Sequence, residues 1–272
     1  MSYIPLIARI DSLPPLPESV MQIEELFRDE YPDIDELVKI IKKDPSLTTD
    51  ILSKVNAPFY GFSKKIISIT QAVTLFGAPL IRSIVLASSI QRSFDIDLSP
   101  YNISTAMFSK ISTSQSELVF QWYMSIDIDI ARDLSPIAFL LETGKILIAK
   151  EILQEEKEDA FKNDLSIYEN IAVVETIHTM MSTAQVNALI FKHLNLHPKF
   201  WESMKYLDNE IEIPETMKEL TIILHVVRAA INIQEQLSDY SLENACKILE
   251  ENHYDIDVFK RAAQRVKTKY YQ

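Results

Sequence analysis

The stretch Ser135-Pro136-Ile137-Ala138-Phe139-Leu140-Leu141-Glu142-Thr143-Gly144-Lys145-Ile146-Leu147-Ile148-Ala149-Lys150 is apolar almost all the way round. A helix that keeps one face in water cannot be so, and the stretch therefore predicts a central, buried helix. Ser135 suits the N-cap, and Pro136 suits the first helical position, where the missing N–H would have had no partner in any case. One polar turn, Glu142 to Lys145, interrupts the run. Polar groups in such a setting have to be paired or do chemistry, because an unpaired buried charge is costly.

The rest of the chain reads as helices too. Only three glycines occur among 272 residues, and the twelve prolines fall mostly between periodic segments, so the expected class is all-α. With 47% hydrophobic residues the chain has ample material for a core. Leu13-Pro14-Pro15-Leu16-Pro17 is a stiff, extended strap whose last proline opens a helix running to about Glu30, with Val20, Ile23, Leu26 and Phe27 on one face. Asp33 caps the next helix. Asp44 caps a third, with Pro45 at its first position and Leu47, Ile51, Leu52 and Val55 buried, and Asn56 with Pro58 ends it. Ser68 and Gln71 form a capping box, Gly77 is a stop and Pro79 a restart. Helices are expected at about Asn102–Ser125, Ile167–His178 and Ser182–Leu194, after Pro198 and after Pro214, with two shorter ones at the C-terminus.

Several of these residues carry a resemblance. Leu140, Leu141, Gly144 and Lys145 match the Leu-Leu-His-Asp-x-Gly-Lys-like run of HD-domain phosphohydrolases if one residue is dropped, and Glu142 and Thr143 then stand where the metal-binding His and Asp would be. The strap from Leu13 to Pro17, the segment Asp44-Pro45-Ser46-Leu47 with Asn56-Ala57-Pro58-Phe59-Tyr60-Gly61, and the run ending at Gly77 complete the pattern. The chain thus resembles the HDOD (HD-related output domain) family, a degenerate relative of those hydrolases used in bacterial signalling, up to about Asp208. The resemblance implies an HD-like multi-helix bundle: an N-terminal helical lobe over residues 1–100, a central degenerate HD-like bundle over 101–210 and a C-terminal helical extension over 211–272. It further implies a non-catalytic regulatory module acting through protein partners, for example in a motility, chemotaxis or gene-regulatory pathway. The alternative is a degenerate pocket, walled by Lys110 and Lys145, that senses a nucleotide or other phosphorylated ligand without hydrolysing it.

The residues themselves weigh against most chemistry. All five histidines, His178, His193, His197, His225 and His253, follow the central stretch, so the upstream His of an HD metal site has no counterpart, and no metal or other cofactor is expected. His193 and His197 are four apart, but Pro198 draws His197 out of helical geometry. Asp95, Asp97 and Ser99 imitate a calcium loop that fails at Pro100 and Ala106, where Gly and Glu are needed. The helix after Gly77 is apolar where a DNA-reading helix must be polar. A net charge of −12, from 39 acidic and 27 basic residues, opposes nucleic acid and anionic membrane as partners. Cys246 is the lone cysteine, no apolar run approaches membrane-spanning length, and the N-terminus lacks a signal-like pattern, so the cytoplasm is the expected compartment. Cations at Lys260, Arg261, Arg265, Lys267 and Lys269 complement a helix C-terminus, the other reading being a basic patch for an acidic partner. If the family alignment carries Lys110 to the place of the upstream His, an ion pair between Lys110 and Glu142 would fill the vacated metal site. Lys145, three residues beyond Glu142, and water are the competing partners.

Overall fold

The computed structural model describes residues 4–29, 31–56, 64–92, 96–208 and 212–271, with backbone alone for 4, 5 and 91. These residues are helical, and the only β-structure among them is an isolated bridge between Ile231 and Gln236. In chain order the helices are α1 (Ile4–Asp11), α2 (Glu18–Leu26), α3 (Ile34–Lys43), α4 (Pro45–Val55) and α5 (Ile69–Arg92). After a 3-10 turn (Ser99–Tyr101) come α6 (Thr105–Tyr123), α7 (Ile128–Phe139), α8 (Gly144–Gln154), α9 (Glu158–Ile167), α10 (Ile171–Thr179) and α11 (Thr183–His193). The last four are α12 (Pro198–Lys205), α13 (Glu215–Ala230), α14 (Asp239–Glu251) and α15 (Ile256–Tyr270).

Short polar side chains start most of these helices by accepting hydrogen bonds from otherwise orphaned N–H groups. Asp33 accepts from Asp35 and Glu36, Asp44 from Leu47, Asp127 from Asp129 and Ile130, and Ser182 with Gln185 forms a full capping box. At Ser68 the box is half made: Ser68 accepts from the Gln71 N–H, while the Gln71 amide accepts from Ile67. Pro17 and Pro214 stand one position outside the helices they introduce. Gly77 breaks α5 as expected, with φ 77° and ψ 153°, a backbone geometry that side chains disfavour, and Pro79 follows within the resumed helix. Glu30, Ala57 to Gly61 and Asp95 lie outside the described residues.

The central stretch corrects the expectation of one helix. It is two, because the chain turns through Leu140 to Thr143. Ser135 is not an N-cap and Pro136 is not a first position. Both lie inside α7, which begins at Ile128, and the buried Ser135 hydroxyl donates to the Ala131 carbonyl at 2.5 Å. The helix expected at Ile167–His178 is α10, which begins at Ile171 with Asn170 as its cap, and a further, unexpected helix, α9, precedes it over Glu158–Ile167. A window of α5, Ile69–Ile90, does have membrane-spanning length and apolarity, but 72% of it is buried here, so its apolarity serves the core.

One cluster of buried side chains runs from Leu6 to Tyr270, so the C-terminal helices share the core of the central ones. Trp122 of α6 meets Phe259 of α15 edge-on at 5.1 Å and Tyr254 at 6.4 Å.

Candidate functional site

The polar turn between α7 and α8 is held by Asn187 of α11. Its Oδ1 accepts from the Gly144 N–H at 2.7 Å, and its Nδ2 donates to the carbonyls of Leu141 at 2.6 Å and Leu140 at 3.3 Å. One amide side chain thus satisfies the end of one helix and the start of the next. Gly144 is required for this approach, since a Cβ there would lie 2.6 Å from the Thr183 carbonyl. The two helix starts, α8 and α11, are in backbone contact.

That closeness directs Lys145 inward. Its Nζ lies 3.0 Å from Glu142 Oε2, 2.8 Å from Glu175 Oε1 and 3.0 Å from Thr183 Oγ1, and 5.3 Å from the centre of the Tyr101 ring. Glu175, from α10, also accepts from the Tyr101 hydroxyl at 2.9 Å, the Thr183 hydroxyl at 2.7 Å and the Thr183 N–H at 2.6 Å. Glu142 accepts from Gln115 Nε2 at 2.9 Å, and Gln115 in turn donates to the Ile231 carbonyl at 2.8 Å. Gln115 Oε1 is buried without a partner among the described residues. Glu142, Lys145 and Glu175 are exposed by 1%, 4% and 0%, so the cluster is sealed from solvent. A second ion pair, Asp208 with Arg228, lies beside it, and Asp208 also accepts from the Ala184 N–H at 3.3 Å.

The electrostatics follow from this burial. Desolvation opposes the charge on Lys145, but Glu142 and Glu175 together outweigh it and hold the ammonium above its ordinary pKa. Arg228 is held up in the same way, against burial, by Asp208 first and then by Glu142 and Glu175. Burial, reinforced by Glu175, raises the Tyr101 hydroxyl well above its ordinary value, so it is a donor and not a phenolate.

The expected Lys110–Glu142 pair is not made. Lys110 sits over the Tyr271 ring at 4.2 Å, and the local partner Lys145 takes Glu142. The reason is rotational: Gln115 is the α6 residue that meets Glu142, and Lys110, five residues earlier, points about 140° away at 100° per residue. Thr143 is buried at the N-cap of α8 but makes no capping bond. His193 bonds the Leu13 carbonyl at 3.0 Å, while His197 caps α12 by accepting from the Lys199 N–H at 3.3 Å. His178 meets Asp164 at 2.8 Å, and His225 meets the Leu207 carbonyl. The other motif residues are structural. Leu13 and Leu16 are buried while Pro14, Pro15 and Pro17 are exposed, Leu47 is buried, and Asn56 staples α4 to Ile66 through both its N–H and its carbonyl.

Sequence reasoning missed Gln115, Glu175, Thr183, Asn187, Asp208 and Arg228. Glu175 had a signal, as a single carboxylate inside the apolar run Ile171-Ala172-Val173-Val174 and Ile177. The residues present do not fit a divalent ion. The oxygen donors that would hold one, on Glu142 and Glu175, already face an ammonium, and among the described residues no group of three or more His, Cys, Asp or Glu converges. What the cluster does is join the 3-10 turn, α6, α8, α10 and α11 through charge and hydrogen bonds.

Comparison with known proteins places this fold. The HDOD domain profile matches residues 13–210. A protein of Treponema pallidum (strain Nichols) is 23% identical over 223 residues, which are 78% of this chain and 40% of that protein, so the chain spans less than half the length of this curated relative. A virulence factor of Campylobacter jejuni subsp. jejuni superposes with a TM-score of 0.60 at 24% identity, covering 98% of this chain and 96% of that one. A Shewanella amazonensis protein, described as a candidate phosphohydrolase, superposes with a TM-score of 0.70 at 15% identity, covering 95% and 93%. At these identities the likeness is one of fold.

Proposed function

The chain belongs to the HDOD domain family, and from that premise we propose that it is a regulatory module of the bacterial cytoplasm that signals by binding protein partners and does not hydrolyse phosphate esters. The observation that carries this reading is the Lys145 ammonium within 3.0 Å of both Glu142 and Glu175. A fixed positive charge stands where an HD hydrolase would need a metal ion and the water it activates. A phosphorylated ligand at the same place would have to enter a sealed cluster and separate Lys145 from two carboxylates, so the sensor alternative finds no support there.

A protein contact is supported by the outer face of α10. Val173, Ile177 and Met180 fall on one helical stripe and are 42%, 53% and 55% exposed, and Ile167 and Tyr168 lie just before it. Exposed apolar groups clustered in this way mark interaction surfaces. Two assays test the proposal. With Mn²⁺, Mg²⁺ or Fe²⁺ present, the chain should release no product from bis(p-nitrophenyl) phosphate above the blank, and turnover that is lost in Glu142→Gln would contradict it. Affinity capture should return a protein that the folded Ile177→Glu variant fails to retain, and identical retention by both would remove this surface from the account.

A further inference from the structure

A cavity of about 980 Å³ lies between the N-terminal helices and α6–α7, and no residue of the Lys145 cluster lines it. Its size is at the upper end of small-molecule sites, roughly 300–1,000 Å³. Phe27, Phe120 and Phe200 contribute aromatic wall. Three polar side chains in the same wall are more than nine-tenths buried, of which Ser135 already gives its hydroxyl to the Ala131 carbonyl. Ser116 is 1% exposed, and its hydroxyl forms no hydrogen bond among the described residues. The Arg82 side chain is 8% exposed. Its Nε and Nη2 donate to Glu24 at 2.8 and 2.7 Å, its faces are covered by Phe27 at 4.9 Å and Phe200 at 5.2 Å, and Nη1 is left over. A few such polar groups in an otherwise apolar wall are what orients a bound small molecule.

The surrounding charges limit that ligand. Lys199 pairs with Asp133, Lys269 with Glu117 and Arg132 with Asp129, so the rim offers no net field to draw a polyanion such as a nucleoside triphosphate. We propose that this cleft binds a small molecule with a flat, apolar body and one anionic or strongly accepting group. The body would lie against the phenyl rings, and the group would accept from Arg82 Nη1 and the Ser116 hydroxyl.

The probe is 1-anilinonaphthalene-8-sulfonate, which has an aromatic body and one sulfonate, titrated into the folded full chain and followed by its emission. Saturable binding near one per chain is expected. Ile128→Trp, which fills the mouth from a residue 39% exposed, should weaken it at least about tenfold. Ser116→Ala, which removes only the hydroxyl, should weaken it about fivefold. Ile177→Ser, on the remote α10 stripe, should leave it unchanged. The proposal is overturned if no saturable enhancement occurs, if folded Ser116→Ala binds as the parent does, or if Ile177→Ser is the variant that abolishes binding.

Discussion

Glu142 was legible in the sequence as a charge that needed a partner, because nothing but apolar residues surrounds its turn. Which cation would meet it was not, since the answer depends on how α6 is rotated, and Lys110 and Gln115 on the same helix face different neighbours. The i+3 lysine wins, and it brings in Glu175, a residue 30 positions away that no spacing rule could have joined to it. The folded pKa of Lys145 is raised above 10.5, so its contribution is fully present below that value and is lost as pH rises through the folded one. Tyr101 acts in the same direction, being raised well above 10.0. Denaturant midpoints measured from pH 9 to 11.5 should therefore fall more steeply for the parent than for Lys145→Met, and parallel curves would mean that Lys145 is not ion-paired in solution. Gly144→Ala tests the close approach at the same place: with backbone 2.6 Å from the new Cβ, a loss of about 1–3 kcal/mol in urea unfolding is expected.

Among the elements, starts were easier to read than continuations. Asp33, Asp44, Ser182 and Pro198 announce their helices by local chemistry, and each stands at the start it announces. The break between α7 and α8 has no local signal of comparable strength. Leu140 and Leu141 are good helix formers, and the turn exists because Asn187, more than 40 residues on, takes the backbone groups that a continuous helix would have paired. Ser135 and Pro136 imitate a start for the same reason in reverse, since a buried Pro can be carried inside a helix that tertiary packing holds. Asn187→Leu keeps comparable volume and removes both the acceptor for Gly144 and the donor to Leu141. It should lower stability by at least about 2 kcal/mol, measured by urea unfolding, because those groups are buried without replacement. A variant as stable as the parent would show that the turn holds itself.

For the whole molecule, the class and the family region were legible, and the role of the last 60 or so residues was not. The profile ends at residue 210, yet the chain beyond it completes the site: Ile231 takes the second hydrogen bond of Gln115, Arg228 neutralises Asp208, and Phe259 covers Trp122. A chain cut after residue 210 should therefore lack a cooperative melting transition, observed by near-ultraviolet circular dichroism. On the proposed reading the Lys145 cluster is a structural substitute for a metal centre, and this is the claim on which the rest depends. It is most directly tested by the unfolding free energy of Lys145→Met at neutral pH. Removing the cation leaves Glu142 and Glu175 buried against each other, and a loss of about 3–5 kcal/mol is predicted. A Lys145→Met chain as stable as the parent, or more so, would contradict the account, since that is the behaviour of a residue kept for chemistry at the expense of the fold.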